Sequence, residues 1–380
     1  MPFRLPTRLT LRPGCFADLP AVAAAFAPQH VLLVTDAGLR GTPWPDRAMA
    51  AMAPLECQLT AADGIEPNPR HTTIDRLAQE SRAARVDVVI GLGGGSVLDA
   101  AKAIAMLLRT PGSCFDYEGR NRFSQSAPFI AIPTTCGTGS EVTWVSVVTH
   151  AGQRRKLSVK GDAMFPDAAL VDADLLQTLP AHLVAYTGLD ALTHALEAYT
   201  GTHANPTSDA LAEKAIAVLL RYLERAVQDI AGDAAARNAV MRASTLAGVA
   251  FGNADVAGVH CLSETLGGFY DVPHGLANAM LLVPTLRYHL EAGAVDASLY
   301  RLAQALWPEA AWPDPRRAAI HVLDKVEALV AALKLPSFAS FGIPETAYPR
   351  IAVGAVANGS NGSNPQPMAA ADYLTILRRL

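Results

Sequence analysis

The chain has 380 residues, 51% apolar and 17% charged, with a formal net charge of −4. That length suits two domains, each with its own core. The mild acidity excludes bulk electrostatic binding to nucleic acid or acidic membranes, so neither is expected as a partner.

Five cysteines without a C-x-x-C pair read as reduced thiols rather than a disulfide framework. No apolar run reaches the ~20 residues of a membrane helix, and Met1–Cys15 lacks the continuous apolar stretch of a secretion signal. A cytoplasmic location follows as the expectation. The high apolar share also suits a subunit interface, and a homo-oligomer, a dimer, is expected.

Short apolar runs that read as strands lie at His30–Val34, Val86–Ile90, Phe129–Ile132 and Ala168–Val171. Each precedes a turn-forming segment and then a stretch of helical spacing, which implies a mostly parallel sheet with helices on both faces. The first strand ends at Asp36. A carboxylate there suits the ribose hydroxyls of an adenosine and repels a 2′-phosphate; a plain turn-forming Asp reads equally well.

The second strand runs into Gly91-Leu92-Gly93-Gly94-Gly95-Ser96 and then a good helix former, Val97–Ile104. Strand, glycine turn and helix N-terminus make an anion site, because backbone N–H groups and the helix dipole favour negative charge. Ser96 stands where a Rossmann fingerprint would place its third glycine. After the third strand comes a second such turn, Pro133-Thr134-Thr135-Cys136-Gly137-Thr138-Gly139-Ser140-Glu141. Two Gly/Thr turns at neighbouring strand ends suggest a dinucleotide across the sheet edge.

From Leu179-Pro180 onward β-branched runs vanish and helical spacing continues nearly to Leu380; Asn358–Pro367 is a polar, loop-like interruption. Residues 1–179 therefore read as a dinucleotide-binding α/β domain and 180–380 as an all-α domain, with the active site expected in the interdomain cleft. In the second half Asp190 and His194 lie one helical turn apart, as do His260 and Glu264, and His274 enters another helix. A carboxylate with imidazoles suits Fe(II) or Zn(II). His30, His71, His150, His182, His203, His289 and His321 read as ordinary core or surface histidines.

Taken together, the chain resembles the iron-containing, or group III, alcohol dehydrogenases across nearly its whole length. The resemblance rests on Gly93-Gly94-Gly95-Ser96 with Asp99, on Pro133-Thr134-Thr135 with Gly137–Thr143, and on Thr187–His194. Pro273-His274-Gly275-Leu276-Ala277-Asn278 and Asn364-Pro365 complete it. It implies a hydride-transferring enzyme that uses NAD and a divalent metal, iron expected and zinc possible, on a small alcohol, aldehyde or ketone. Asp190, His194, His260 and His274 match the family's metal ligands. Asp36, Asn68, Gly94, Gly95, Ser96, Asp99, Thr134, Thr135, Thr143, Lys156 and Leu175 match its NAD contacts. The metal would act as a Lewis acid on the substrate oxygen while hydride passes to or from nicotinamide. His274 is expected at the reacting centre as well as on the metal.

One departure stands out: the family has a second histidine four residues after its third ligand, where this chain has Glu264. That residue is expected to line the pocket as a catalytic proton acceptor and to disfavour anionic substrates. Enzymes resembling dehydroquinate synthase use a related fold but want a basic phosphate pocket and a different ligand set. Maleylacetate reductases lack this full metal set. Intact ligands and nucleotide loops argue against a structural member without turnover.

Overall fold

The computed structural model describes residues 3–380. The chain forms two compact units. One comprises Leu5–Pro180 with Ile230–Met241; the other comprises Ala181–Asp229 and Arg242–Leu380, together with Phe3 and Arg4. A single boundary near residue 180 therefore misses one excursion. Arg237 explains it: its buried guanidinium donates to the carbonyls of Ile230 and Ala231 and to Asp174, tying the excursion to the α/β unit.

The α/β unit contains nine strands: β1 (Arg8–Leu11), β2 (His30–Val34), β3 (Gln58–Ala62), β4 (Val88–Gly93), β5 (Gly119–Arg120), β6 (Phe129–Pro133), β7 (Val145–His150), β8 (Arg155–Lys160) and β9 (Ala168–Val171). Its helices are α1 (Leu19–Ala24), α2 (Trp44–Met52), α3 (His71–Ala83) and α4 (Gly95–Arg109). Six strands pair in parallel in the order β1-β9-β6-β4-β2-β3, and β5-β8-β7 make a smaller sheet.

Strands β2, β4, β6 and β9 are buried along their whole length. Hence they read as continuous apolar runs rather than alternating ones. The edge strands β1 and β3 carry polar residues and stay partly exposed, which leaves little signal in the sequence. Strand β4 begins two residues later than the apolar run suggests, because Asp87 is engaged in holding the backbone N–H groups of Gln29 and His30. It also continues through its glycines. A Cβ on Gly91 would lie 3.1 Å from both Ala101 and Phe129, so α4 can press against the strand only where no side chain intervenes.

Leu33, Ile90, Leu92, Ile130, Ile132 and Leu170 form a core with Trp44 and Leu175. Each contributes roughly 1.5–3 kcal/mol by leaving water. This core fixes where the strand ends lie. The chain passes from β2 outward to β3 and then returns to β4 on the other side of β2. The reversal brings the carboxyl ends of β2 and β4 together, the place where open α/β sheets take ligands.

The helical unit contains α5 (Ala181–Thr200), α6 (Pro206–Gln228), α7 (Ala234–Gly252, its first turns counted with the α/β unit), α8 (Gly258–Tyr270), α9 (His274–Glu291), α10 (Asp296–Leu306), α11 (Pro315–Ala332), α12 (Tyr348–Val356) and α13 (Ala370–Leu377). From Gly188 to Tyr199 every residue of α5 is buried, as expected of a central helix. It packs against α6 and α9, and α8 packs against α9 and α12. A Cβ on Gly275 would lie 2.8 Å from the Tyr186 carbonyl, so glycine lets the start of α9 touch the backbone of α5 beside the metal-ligand candidates. No helix among the described residues is long and apolar enough to cross a membrane.

Candidate functional site

Three helices of the helical unit deliver one cluster. Asp190 and His194 come from α5, His260 from the first turn of α8, and His274 from the start of α9. One ligand atom from each lies within 4.8 Å of all the others, and among the described residues no second group of this kind occurs. The Nε2 atoms of His194, His260 and His274 stand 3.9, 3.9 and 3.7 Å from the same oxygen, Oδ1 of Asp190. Ligand atoms held at ~2.0–2.2 Å in tetrahedral geometry lie ~3.4 Å apart, so a contraction of a few tenths of an ångström brings these three into bonding position.

The donor set is therefore chemically and geometrically fit for a divalent ion such as iron or zinc. Asp190, His194 and His260 are buried, whereas the His274 side chain is 37% exposed, so the cluster meets solvent at His274.

The surroundings hold these ligands in place. The ring of Phe251 stacks on His194 at 4.2 Å and 16°, and His194 stacks on His260 at 4.6 Å. Phe251 is thus a wall of the candidate metal centre. Asn278, one turn beyond His274, donates to Asp190 Oδ1 at 2.6 Å, and its Nδ2 lies 3.0 and 3.2 Å from Nε2 of His260 and His274. An amide nitrogen carries only two hydrogens, so three lone pairs here converge on one point, as they would on a cation. Burial alone would lower the pKa of His260, but Glu197, Asp190 and Glu264 outweigh it and the net direction is up.

Two residues at the cluster lie outside the expected site set. One is Asn278, part of the family motif. Glu197 stands seven residues after Asp190 and three after His194, on the same stripe of α5. It is buried and hydrogen-bonds His260 Nδ1 at 2.6 Å. The i, i+4, i+7 spacing of Asp190, His194 and Glu197 was the available signal.

Glu264 lies on α8 one turn beyond His260, and its Oε2 accepts from Asn358 Nδ2 at 2.6 Å. The loop-like 358–367 stretch is more than a linker: Ser360 and Ser363 donate to the two oxygens of Asp255, and Asn364 is buried.

The nucleotide candidates gather in the α/β unit. Gly94 is the N-cap residue of α4, and no side chain caps that helix, so its first N–H groups face outward as an anion cradle. The glycines are needed for space. A Cβ on Gly94 would lie 3.0 Å from Thr135 Cγ2, and one on Gly95 would lie 2.6 Å from Thr138 Oγ1. The second Gly/Thr turn is therefore what approaches the first, and together they frame one groove. The Thr135 hydroxyl is buried without a hydrogen-bond partner beside Gly94, an orphan that a bound phosphate or ribose would satisfy. Ser96 and Thr134 flank the same turn, the latter through its N–H to the Gly93 carbonyl.

Asp36 follows β2 and accepts from Gly38 N–H at 2.7 Å through Oδ1. Desolvation pushes its pKa up against the pull of the Gly38 and Leu39 N–H groups. It is a turn-forming Asp at the carboxyl end of β2. Asn68 has a left-handed backbone (φ 54°) and accepts from Lys156 Nζ at 2.7 Å, pairing two of the family positions.

Two other family positions, Leu175 and Asp99, have partners within the fold. The Leu175 side chain is buried in the apolar core. Asp99 has both carboxylate oxygens engaged, by Ser140 Oγ at 2.7 Å and Val147 N–H at 2.9 Å, and its carbonyl accepts from Ser146. It braces the second turn against α4. Lys102, one turn further, is fully buried and donates to the Thr143 carbonyl, the Thr143 hydroxyl and the Val145 carbonyl. It holds Thr143 and the start of β7.

Residues 6–173 match the iron-containing alcohol dehydrogenase model, and residues 184–380 match the C-terminal model of the Fe-containing alcohol dehydrogenase family. The chain is 34% identical over 386 residues to 1-propanol dehydrogenase PduQ of Salmonella typhimurium, covering 100% of this chain and 99% of that one. It superposes on a crystal structure of 1,3-propanediol oxidoreductase with a TM-score of 0.94 at 32% identity, covering 100% and 99% of the two chains. A sulfoacetaldehyde reductase from Bifidobacterium kashiwanohense, solved in complex with NAD+, aligns at 25% identity and TM-score 0.83 over 99% and 97%. The chain belongs to the iron-containing alcohol dehydrogenase family and is a metal-dependent alcohol oxidoreductase.

Burial pulls the Lys102 pKa down to about 8, against the opposing charges of Asp99 and Glu141. In the unfolded chain this lysine titrates near 10.5. Below about 8 both states hold the proton, and the cost of burying the charge is full and constant. Between about 8 and 10.5 only the unfolded chain holds it, so this group's contribution to stability rises with pH. The stability of wild type relative to Lys102→Met, from denaturant midpoints, should therefore increase across that interval. A difference independent of pH would show that the lysine is not depressed.

Proposed function

We propose that this enzyme transfers hydride between NAD(H) and a small alcohol or aldehyde, with Asp190, His194, His260 and His274 holding one divalent ion. Iron is the family expectation, and zinc fits the same donors. The observation that carries the reading is the convergence of three imidazole nitrogens on one carboxylate oxygen of Asp190. Bound there, the ion supplies Lewis acidity toward the substrate oxygen. The protein's own residues orient and shield: Phe251 and His260 sandwich His194, and the exposed face of His274 borders the substrate.

For the cofactor, the uncapped N-terminus of α4 receives the pyrophosphate, Thr135 supplies a hydroxyl, and Asp36 favours NAD over NADP by repelling a 2′-phosphate. Asn68, Lys156 and Thr143 complete the cradle from the smaller sheet and its approaches. A dimer in the cytoplasm is the accompanying reading. Five unpaired cysteines support a reducing compartment, and the high apolar share supports a subunit interface.

The printed names of the relatives, a 1-propanol dehydrogenase and a 1,3-propanediol oxidoreductase, support short neutral primary alcohols as substrates. Glu264 supports the same class, because its carboxylate one turn from a metal ligand repels anionic substrates such as a sulfonated aldehyde. Held by Asn358, it is oriented to accept a proton or a substrate hydroxyl.

Two outcomes test this. Protein loaded with Fe(II) or Zn(II) should reduce propanal with NADH faster than with NADPH. His274→Ala should lose metal and turnover by more than the ~10–100-fold typical of losing a supporting partner. Equal use of both cofactors would remove Asp36 from its role, and full metal retention would remove His274 from the ligand set. For Glu264, the Gln and His variants should relax discrimination against anionic aldehydes relative to neutral ones and shift the pH profile of kcat/KM. An unchanged substrate ranking and pH profile would leave Glu264 a structural residue.

A further inference from the structure

We infer that Glu197 is a positioning residue which fixes the tautomer of the metal ligand His260, and that it does so by the same bonds that cap helix α8. This rests on the assignment of His260 as a ligand. Helix α8 begins without a cap of its own: the N-cap residue is Ala257, and it offers no side-chain acceptor. The orphan N–H groups of such a helix start need a partner when buried.

Glu197 supplies one from across the fold. Its Oε1 accepts from Val259 N–H at 2.6 Å, and its Oε2 accepts from Ala257 N–H at 2.9 Å and from His260 Nδ1 at 2.6 Å. Three donors, two of them at the positive end of a helix dipole, compensate a carboxylate whose side chain is only 7% exposed. Residue 258 is glycine for a different neighbour: a Cβ there would lie 2.7 Å from Asn364 Oδ1.

The consequence for chemistry follows from hydrogen-bond inventory. A carboxylate only accepts, so the proton on this side of the imidazole belongs to Nδ1 of His260. In the neutral imidazole that a metal requires, Nε2 is then the unprotonated nitrogen, and it is the one that faces Asp190 and the Asn278 amide. A histidine with the opposite tautomer would point an N–H at the cluster and could not bind a metal. Helix cap and tautomer are therefore coupled: the bonds that place α8 also decide which nitrogen of His260 is a ligand. The i, i+7 relation to Asp190 makes α5 the single source of two ligands and of this orienting group.

Glu197→Gln separates the roles. The glutamine keeps the length and one acceptor for the α8 N–H groups. Its amide NH2 must face either those N–H groups or Nδ1, and facing Nδ1 drives the proton to Nε2. We expect Zn(II) affinity of the full-length, metal-stripped protein, measured by competition with a chromophoric chelator, to fall ~10–100-fold. The long-range 15N–1H correlation of His260 should move from the Nδ1-protonated to the Nε2-protonated pattern. A merely structural cap would instead lower the melting temperature of the metal-stripped protein and leave Zn(II) affinity and tautomer at wild-type values; that result overturns the inference. If the Gln variant does not fold, the wild type loaded with Zn(II) decides. Nδ1-protonated His260 supports the role, and Nε2-protonated His260 refutes it. Retention of Zn(II) by His260→Ala would show that the ligand assignment itself, not the role of Glu197, is at fault.

Discussion

The helical unit is organised around a repulsive arrangement: one buried carboxylate oxygen and three imidazole lone pairs aimed at a common point. Acceptors brought together this way disfavour one another unless a positive charge or a donor lies between them. Everything nearby counters that cost. Asn278 donates into the group, Phe251 packs the outer face of His194, and Glu197 fixes the far side of His260. The cluster is therefore a built site, since no packing requirement would gather four acceptors inside a helical bundle.

Most of the large sheet was legible because parallel strands buried on both faces leave unbroken apolar runs, and β2, β6 and β9 are such runs. Edge strands β1 and β3 were not, since half-exposed strands carry polar residues with no clean period. The return of Ile230–Met241 to the α/β unit hangs on the buried Arg237, which looks like any helical arginine in a linear reading. In the site, spacing alone exposed two pairs, Asp190 with His194 and His260 with Glu264. Joining them to His274 needed the family resemblance, because the three helices that meet are far apart in sequence. Glu197 went unseen since a carboxylate in a helix is ordinarily a solvated one.

The nucleotide side teaches a complementary point. The triple glycine invited a purely ligand-based explanation, yet Thr135 and Thr138 are what occupy the space a side chain would need. Two turns must interlock before either can present N–H groups to a phosphate. Asp99 and Lys102 secure that interlock from α4, one by receiving bonds from the second turn and the other by donating to Thr143 and Val145. Residues that recur in a binding motif can thus act by bracing the loop that binds.

The central claim is that one carboxylate and three imidazoles form a single metal centre. X-ray absorption at the metal edge of the reconstituted full-length protein addresses it most directly. The account predicts a first shell of nitrogen and oxygen only, with scattering from three imidazole rings. A sulfur scatterer, or fewer than three imidazoles, would contradict it.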